Sequence, residues 1–297
     1  IDNIDLTGCS KLTELTVSNC PKITSLTLHN MPNLTTVNII GCSGLKSFTC
    51  TNNARLTSVS ISNTSALTNI DLTGCSNKNI SLYLVGADNL ESLNLKNVTA
   101  PIIVELADEL PKLKNLNLYA SGIKGFQYGN KPVAKYKNEV VADLSPLKAL
   151  TVLDVRLYQC NYLKFDNNPN KGFSVGASFF EGCGAKRIFG HLNIIDGTRT
   201  FKGCPACIHE LPTDTVTPWP SKGWYGSDTS QSSGQDEWDA NTNLDTNISI
   251  TTTSLYYCFE GSGINIFDVY YIMSKAATVT SCEGTFAECT KVQTSVE

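Results

Sequence analysis

The chain has 297 residues, with 23 Lys and Arg against 27 Asp and Glu and a formal net charge of -4 at pH 7. So even a balance, with no basic stripe, argues against an electrostatic nucleic-acid binder, and no run of about eighteen apolar residues is present to span a bilayer. Twelve cysteines would suggest a disulfide scaffold in a small secreted protein, but here they sit at repeat positions of a long chain and identify no redox compartment.

Over residues 1–98 an apolar residue recurs every eleven positions, at Ile4, Leu15, Leu26, Val37, Phe48, Val59 and Ile70, and Leu82 and Leu93 continue the series after one slip. Two places on stands a second, such as Leu6, Val17, Leu28 and Ile39, and a third closes most units, as at Ile23, Leu34 and Leu45. The leading pair has the spacing of alternate strand positions, both toward one face, with the residue between them toward water. One such strand buries almost nothing alone, so the copies must stack to share a core. Eleven residues are too few for a coil, whereas about twenty-two are usual. Each coil therefore reads as two arcs, and alternate units form two columns. At the fifth place after the first apolar residue, one column holds Cys9, Met31, Asn53, Cys75 and Val98, and the other Cys20, Cys42, Thr64 and Ala87.

The phrases LTELTVSNCPKI, LTTVNIIGCSGL and LTNIDLTGCSNK carry the order L-x-x-L-x-L-x-x-N/C-x-L. They resemble the leucine-rich repeats of surface proteins from anaerobic gut and oral bacteria. The resemblance implies a repeat solenoid, mainly β with short helices, and a binding role. It also implies that the fifth-place residue turns inward to satisfy backbone groups at the bend, so that cysteines substitute for a turn-bonding Asn. Coils stack about 4.8 Å apart, which permits a Cys20 to Cys42 bond without requiring one; free buried thiols are the expected state.

At the slip, in CSNKNISLYL, Lys78 takes an apolar slot and one extra residue restores register at Leu82. In PIIVELADELPKL, Ile103, Leu106, Leu110 and Leu113 have helical spacing behind Pro101, which predicts a short helix. The strand resumes with Leu116 and Leu118. Residues 124–141 then break the period with Gly125, Gly129 and Pro132, and mix lysines with Phe126, Tyr128 and Tyr136. This reads as an inserted loop or hairpin whose aromatics either pack on the solenoid or meet a glycan or acidic peptide. Leu144, Leu147 and Leu150 lead into Leu153 and Val155, a stretch that resembles the internalin type of repeat.

Beyond about residue 168 the motif changes to SFFEGC, RTFKGC, YCFEGS and GTFAEC, which share a Phe expected to be buried, at 180, 201, 259 and 286. These phrases resemble the F-x-G-C signature of BspA-type leucine-rich repeats. The expected organisation is thus a leucine-rich-repeat solenoid over 1–167 with an inserted loop at about 124–141, continuous with BspA-type repeats over 168–297 that carry a Trp-rich insertion at about 213–247. The chain opens and ends inside repeats, and solenoids need polar caps, so a fragment or mature form of a longer protein is expected.

The Trp-rich insertion holds Trp219, Trp224 and Trp238 amid Ser, Gly, Asp and Asn. Trp219, Trp224, Tyr225, Asp228 and Trp238 are candidate ligand contacts, since indole faces stack on sugar rings while carboxylates and amides meet hydroxyls; the same tryptophans equally serve to pin the loop. Asp239, Asn241, Asn243 and Asp245 have the opening spacing of a calcium loop, but Leu244 stands at its Gly position and Ile250 at its Glu. Cys204, Cys207 and His209 make half a zinc site without a second pair, or a local disulfide or redox pair, but Cys204 already fills the F-x-G-C slot, where a structural role explains it. His29, His191 and His209 are the only histidines. No nucleophile elbow, zinc-protease or phosphate-loop motif occurs, and Glu237 with Asp239 lies on a polar segment ill-suited to rigid placement. The outward strand residues Asp5, Thr16, Thr27, Asn38, Thr49, Ser60 and Asp71 form a candidate binding row, or an ordinary solvated face.

The expected function is a non-catalytic, cofactor-free binding module, secreted or on a bacterial outer surface, recognising a protein or glycan as an adhesin does. The alternatives are an accessory subunit docked in an outer-membrane nutrient-uptake or other membrane-protein assembly, and a glycan-capture protein acting through the Trp-rich loop.

Overall fold

Leu15 pairs in register with Val37, Val37 with Val59 and Val59 with Leu82, so the eleven-residue unit is half a coil. The fold is a mainly-β parallel solenoid. The computed structural model describes residues 4, 6, 8–77, 80–99, 103–106, 110–136, 138–155, 161–166, 168, 173–206, 246–264 and 266–289. It divides into two units, Ile1–Ala134 with Val140–Asn161, and Lys135–Glu139 with Tyr162–Glu297.

In the first unit alternate arcs build two parallel six-stranded sheets. The odd sheet contains β1 (Glu14–Ser18), β3 (Thr36–Ile40), β5 (Ser58–Ser62), β7 (Ser81–Val85), β9 (Ile103–Leu106) and β11 (Gly125–Tyr128), in that order. The even sheet runs through β2 (Ser25–His29), β4 (Ser47–Thr51), β6 (Asn69–Asp71), β8 (Ser92–Asn94), β10 (Asn115–Asn117) and β14 (Val152–Asp154). Both leading apolar residues point inward: Val37, Ile39, Phe48, Cys50, Val59 and Ile61 are all buried. Each fully buried Leu, Ile or Phe contributes roughly 1.5–3 kcal/mol, and it does so only when a neighbouring coil covers it.

Of the helix expected over 101–113, residues 103–106 instead form strand β9 of the odd sheet and residues 110–113 a turn closed by Leu113 N–H to Leu110 O. Val104 and Leu106 turn inward on a period of two, and parallel pairing on both sides, to β7 and β11, overrides the helical spacing that Ile103 suggested. The repeat also persists into the expected insertion. Phe126 takes the first apolar slot opposite Val104, and irregularity begins only after Tyr128, with the short strands β12 (Lys135–Tyr136) and β13 (Glu139–Asp143) following.

Three devices join the coils. The fourth place after the first apolar residue is a left-handed corner, occupied by Asn19, Asn30, Gly41, Asn52, Asn63, Gly74, Gly86, Asn97 and Ala120, all with positive φ; Gly and Asn tolerate this region best. At Gly74 a Cβ would approach Asn52 Oδ1 of the neighbouring coil to 2.2 Å, so a side chain at that corner would displace the Asn52 amide. Before the strand, the Thr of the recurrent Leu-Thr pair donates its hydroxyl to the matching carbonyl one coil earlier: Thr35 to Thr13 O, Thr57 to Thr35 O (both 2.9 Å) and Thr68 to Lys46 O (3.1 Å).

The third device is the fifth-place residue. Asn53 Oδ1 accepts from Met31 N–H (2.8 Å) and its Nδ2 donates to Leu28 O (3.1 Å). Cys75 Sγ donates to Cys50 O (3.0 Å) and Cys42 Sγ to Val17 O (3.7 Å), the equivalent carbonyls of their own preceding coils. The thiols thus do the donor half of what Asn53 does in full, as a turn-bonding substitute should. Cys20 Sγ instead donates to Ser18 O (3.3 Å), and no disulfide joins the described cysteines.

In the second unit β17 (Arg187–Ile194) pairs with β15 (Tyr162–Lys164) along its first half, with β16 (Phe173–Val175) along its second, and with β18 (Thr246–Ile250) on its other edge. Gly190 has φ +103°, and a Cβ there would lie 2.5 Å from Phe165 O, so only glycine lets the strands close. The four F-x-G-C phrases stack as one ladder. Phe180 to Phe201 and Phe201 to Phe259 have ring centroids 5.0 Å apart, and Phe259 to Phe286 6.0 Å. The Cys slot follows the same register through Cys183, Cys204, Ser262 and Cys289, all buried.

The outer edge of β18 is covered by α1 (Ile266–Lys275), the only helix among the described residues. The Ile248 N–H donates to the Tyr271 hydroxyl (3.1 Å), and Thr278 Oγ1 donates to Ile250 O (3.4 Å). Side chains thereby satisfy an edge that would otherwise be an open template for further strands.

Candidate functional site

Because each strand alternates, the residue between the two apolar slots faces out, and stacking turns these residues into two separate rows. The odd row is Thr16, Asn38, Ser60, Tyr83, Glu105 and Gln127, each in register with the next. The even row is Thr27, Thr49, Asp71, Asn94, Asn117 and Asp154. The expected single row is therefore divided: Thr16, Asn38 and Ser60 lie on one sheet, Thr27, Thr49 and Asp71 on the other, and Asp5 lies outside the described residues.

The two rows differ in what their side chains already do. Asp71 Oδ1 accepts from the Thr73 N–H (2.9 Å) and hydroxyl (2.6 Å), Asn94 Oδ1 from Lys96 N–H (3.2 Å) and Asn117 Oδ1 from Tyr119 N–H (3.0 Å). These are Asx turns, and they coincide with the shortening of β6, β8 and β10 to three residues each. At the start of the odd row Asn38 Nδ2 reaches Thr16 Oγ1 at 3.5 Å. Farther along, Tyr83, Glu105 and Gln127 have no hydrogen-bond or ionic partner among the described residues. With Leu106, Gly129 and Asn130 they line an open concavity of about 490 Å3, and Tyr83 leaves 42% of its surface exposed. Sequence reasoning missed this end of the row because the candidate set stopped at Asp71. The signal was there in SLYLV, where a Tyr fills a slot that holds Thr, Asn or Ser in the coils before it.

Phe126 and Tyr128, offered above as glycan or peptide contacts, are buried; the Tyr128 hydroxyl donates to Asp143 O (2.8 Å). The structure thus gives both of them the packing role. A smaller cavity of about 260 Å3 beside them is lined by Lys131, Pro132, Ser145 and Lys148 among others. Tyr136's side chain falls outside the described set, as do Trp219, Trp224, Tyr225, Asp228, Glu237, Trp238 and the calcium candidates Asp239, Asn241, Asn243 and Asp245.

Cys204 is buried and its Sγ donates to Ala185 O (3.7 Å), a structural post, while Cys207 and His209 lie outside the described residues. No cluster of three potential metal ligands occurs among the described residues. His29 is exposed, with Nδ1 2.7 Å from Thr51 Oγ1. His191 is buried with Nε2 2.8 Å from Ser249 Oγ; burial, and then the nearby Lys275 charge, hold its pKa below the ordinary imidazole value. Burial pushes the Cys258 thiol up to about 12, and a hydrogen bond with Cys75 followed by burial raises Cys50. Such thiols stay protonated and unreactive.

No protein-family model, curated protein or solved structure matches the chain.

Proposed function

We propose that the chain is a non-catalytic binding module of the leucine-rich-repeat kind, secreted or displayed on a bacterial outer surface, that presents the outward face of its odd sheet to a protein or glycan. The observation that carries this reading is the contrast between the ends of the rows: in the even row Asp71, Asn94 and Asn117 close their own turns, while the far end of the odd row offers uncommitted polar side chains and an exposed aromatic around a concavity. Exposed aromatics with free hydrogen-bonding groups on a rigid scaffold are what recognition requires. The repeat phrases support the family assignment, and the surface location follows from that resemblance.

The test is saturable binding of the labelled full chain to intact bacterial and host cells. Thr16→Arg and Ser60→Arg, on the odd face, are expected to reduce binding, and Thr49→Arg, on the even face, to leave it unchanged. Equal binding by all the variants would refute the assignment to that face.

A further inference from the structure

The concavity at the far end of the odd row lends itself to one ligand chemistry, and the argument rests on the binding reading above. Neighbouring parallel strands lie about 4.8 Å apart, so Glu105 on β9 sits one strand from Tyr83 on β7, and Gln127 on β11 sits two strands away. Asn130 enters from the turn after β11, which Gly129 holds with φ +57° and an N–H donated to Leu106 O at 2.6 Å. Four side chains on fixed backbone therefore surround one space, each without an intramolecular partner among the described residues.

We propose that this concavity is a subsite for a neutral oligosaccharide, with the Tyr83 ring against the apolar C–H face of a sugar and Glu105, Gln127 and Asn130 bonding its hydroxyls. A pyranose ring has one apolar face and a rim of groups that both donate and accept. An aromatic face meets the first, and a carboxylate with two primary amides meets the second. The volume of about 490 Å3 lies within the usual range of roughly 300–1,000 Å3 for small-ligand sites.

Other ligand classes fit worse. A peptide anchor needs a dry apolar pocket, and Leu106, the one aliphatic residue of this lining, turns its side chain into the core. Phosphates, nucleic acid and acidic sugars need a cation, and the lining contributes none; the Glu105 carboxylate would repel them. The site excludes them by charge as much as it admits a neutral ring by shape.

The experiment is an array of neutral and acidic oligosaccharides probed with the labelled full chain, followed by calorimetry with the strongest neutral binder. Tyr83→Ala is expected to weaken binding roughly tenfold or more, and Tyr83→Phe, which keeps the ring, to stay within about threefold of wild type. Glu105→Gln is expected to weaken the neutral ligand and to bring acidic ones closer to it. Because Tyr83 is exposed, circular dichroism and the thermal midpoint should not move. The proposal is overturned if the wild-type chain binds no neutral oligosaccharide, if it binds only acidic ones, or if Tyr83→Ala binds as wild type does. Cell binding that stays sensitive to Ser60→Arg after such a result would leave the module reading standing, and loss of both would remove both.

Discussion

The fifth-place slot predicts substitutions of opposite sign at equivalent positions. Asn53 is fully buried and closes two backbone groups of the preceding coil, accepting from Met31 N–H at 2.8 Å and donating to Leu28 O at 3.1 Å. Asn53→Ala leaves both orphaned in a dry interior, at about 1–3 kcal/mol each. Partial collapse of the corner offsets some of this, so a net loss of about 2–4 kcal/mol is expected. Thr64 holds the same slot in the other column, also fully buried, but its hydroxyl has no partner. Thr64→Val keeps the shape and deletes the unsatisfied group, with an expected gain of about 1 kcal/mol. Urea unfolding followed by circular dichroism reads both changes, and hydrogen exchange at the Met31 amide reads the first locally. An Asn53→Ala chain within about 0.5 kcal/mol of wild type, with Met31 still protected, would refute this account of the corner.

Two further outcomes follow from the backbone and the buried thiols. Ala120 occupies a left-handed corner with φ +52°, where other coils use Gly or Asn, so Ala120→Gly is expected to stabilise by about 1 kcal/mol, read as a higher urea midpoint. Cys258 has a folded pKa pushed from 9.0 to about 12 by burial; because the folded value is raised, its contribution is complete below the ordinary thiol pKa and is lost as pH rises through that window. The urea midpoint should fall across the window, and Cys258→Ala should shrink the fall; identical slopes for the two proteins would contradict it.

The coil was legible because inward geometry repeats. Leu15, Val37 and Val59 meet the same environment, and only apolar residues stack there, so the period and the two columns follow from the sequence. The Phe ladder follows for the same reason, although the separations between its rungs are 21, 58 and 27 residues. Phe201 and Phe259 are stacked neighbours, so a long insertion leaves the register of the described coils intact. Residues 101–113 misled because Ile103, Leu106, Leu110 and Leu113 satisfy a helical period, while within 103–106 the inward residues are Val104 and Leu106 and Ile103 is only half-buried. Sheet partners on both sides decide that contest, and they lie about twenty residues away in each direction. The left-handed corners were visible as recurrent Gly and Asn but were overshadowed by the Cys and Asn beside them.

The outward face was less legible, and the reason lies in side-chain length. Asp and Asn reach the backbone N–H two residues on, so Asp71, Asn94 and Asn117 bond their own strand ends and offer less to a ligand. Glu and Gln are one methylene longer and do not close that ring, so Glu105 and Gln127 remain free at equivalent positions of the other sheet. Residue polarity alone cannot separate these cases. A reading that scores outward Asp and Asn as occupied and outward Glu, Gln and Tyr as available locates the concavity from the sequence once the period is known. Exchanging Glu105 for Asp would test the same logic in reverse, because the shorter carboxylate can turn back onto its own backbone and leave the subsite without its acceptor.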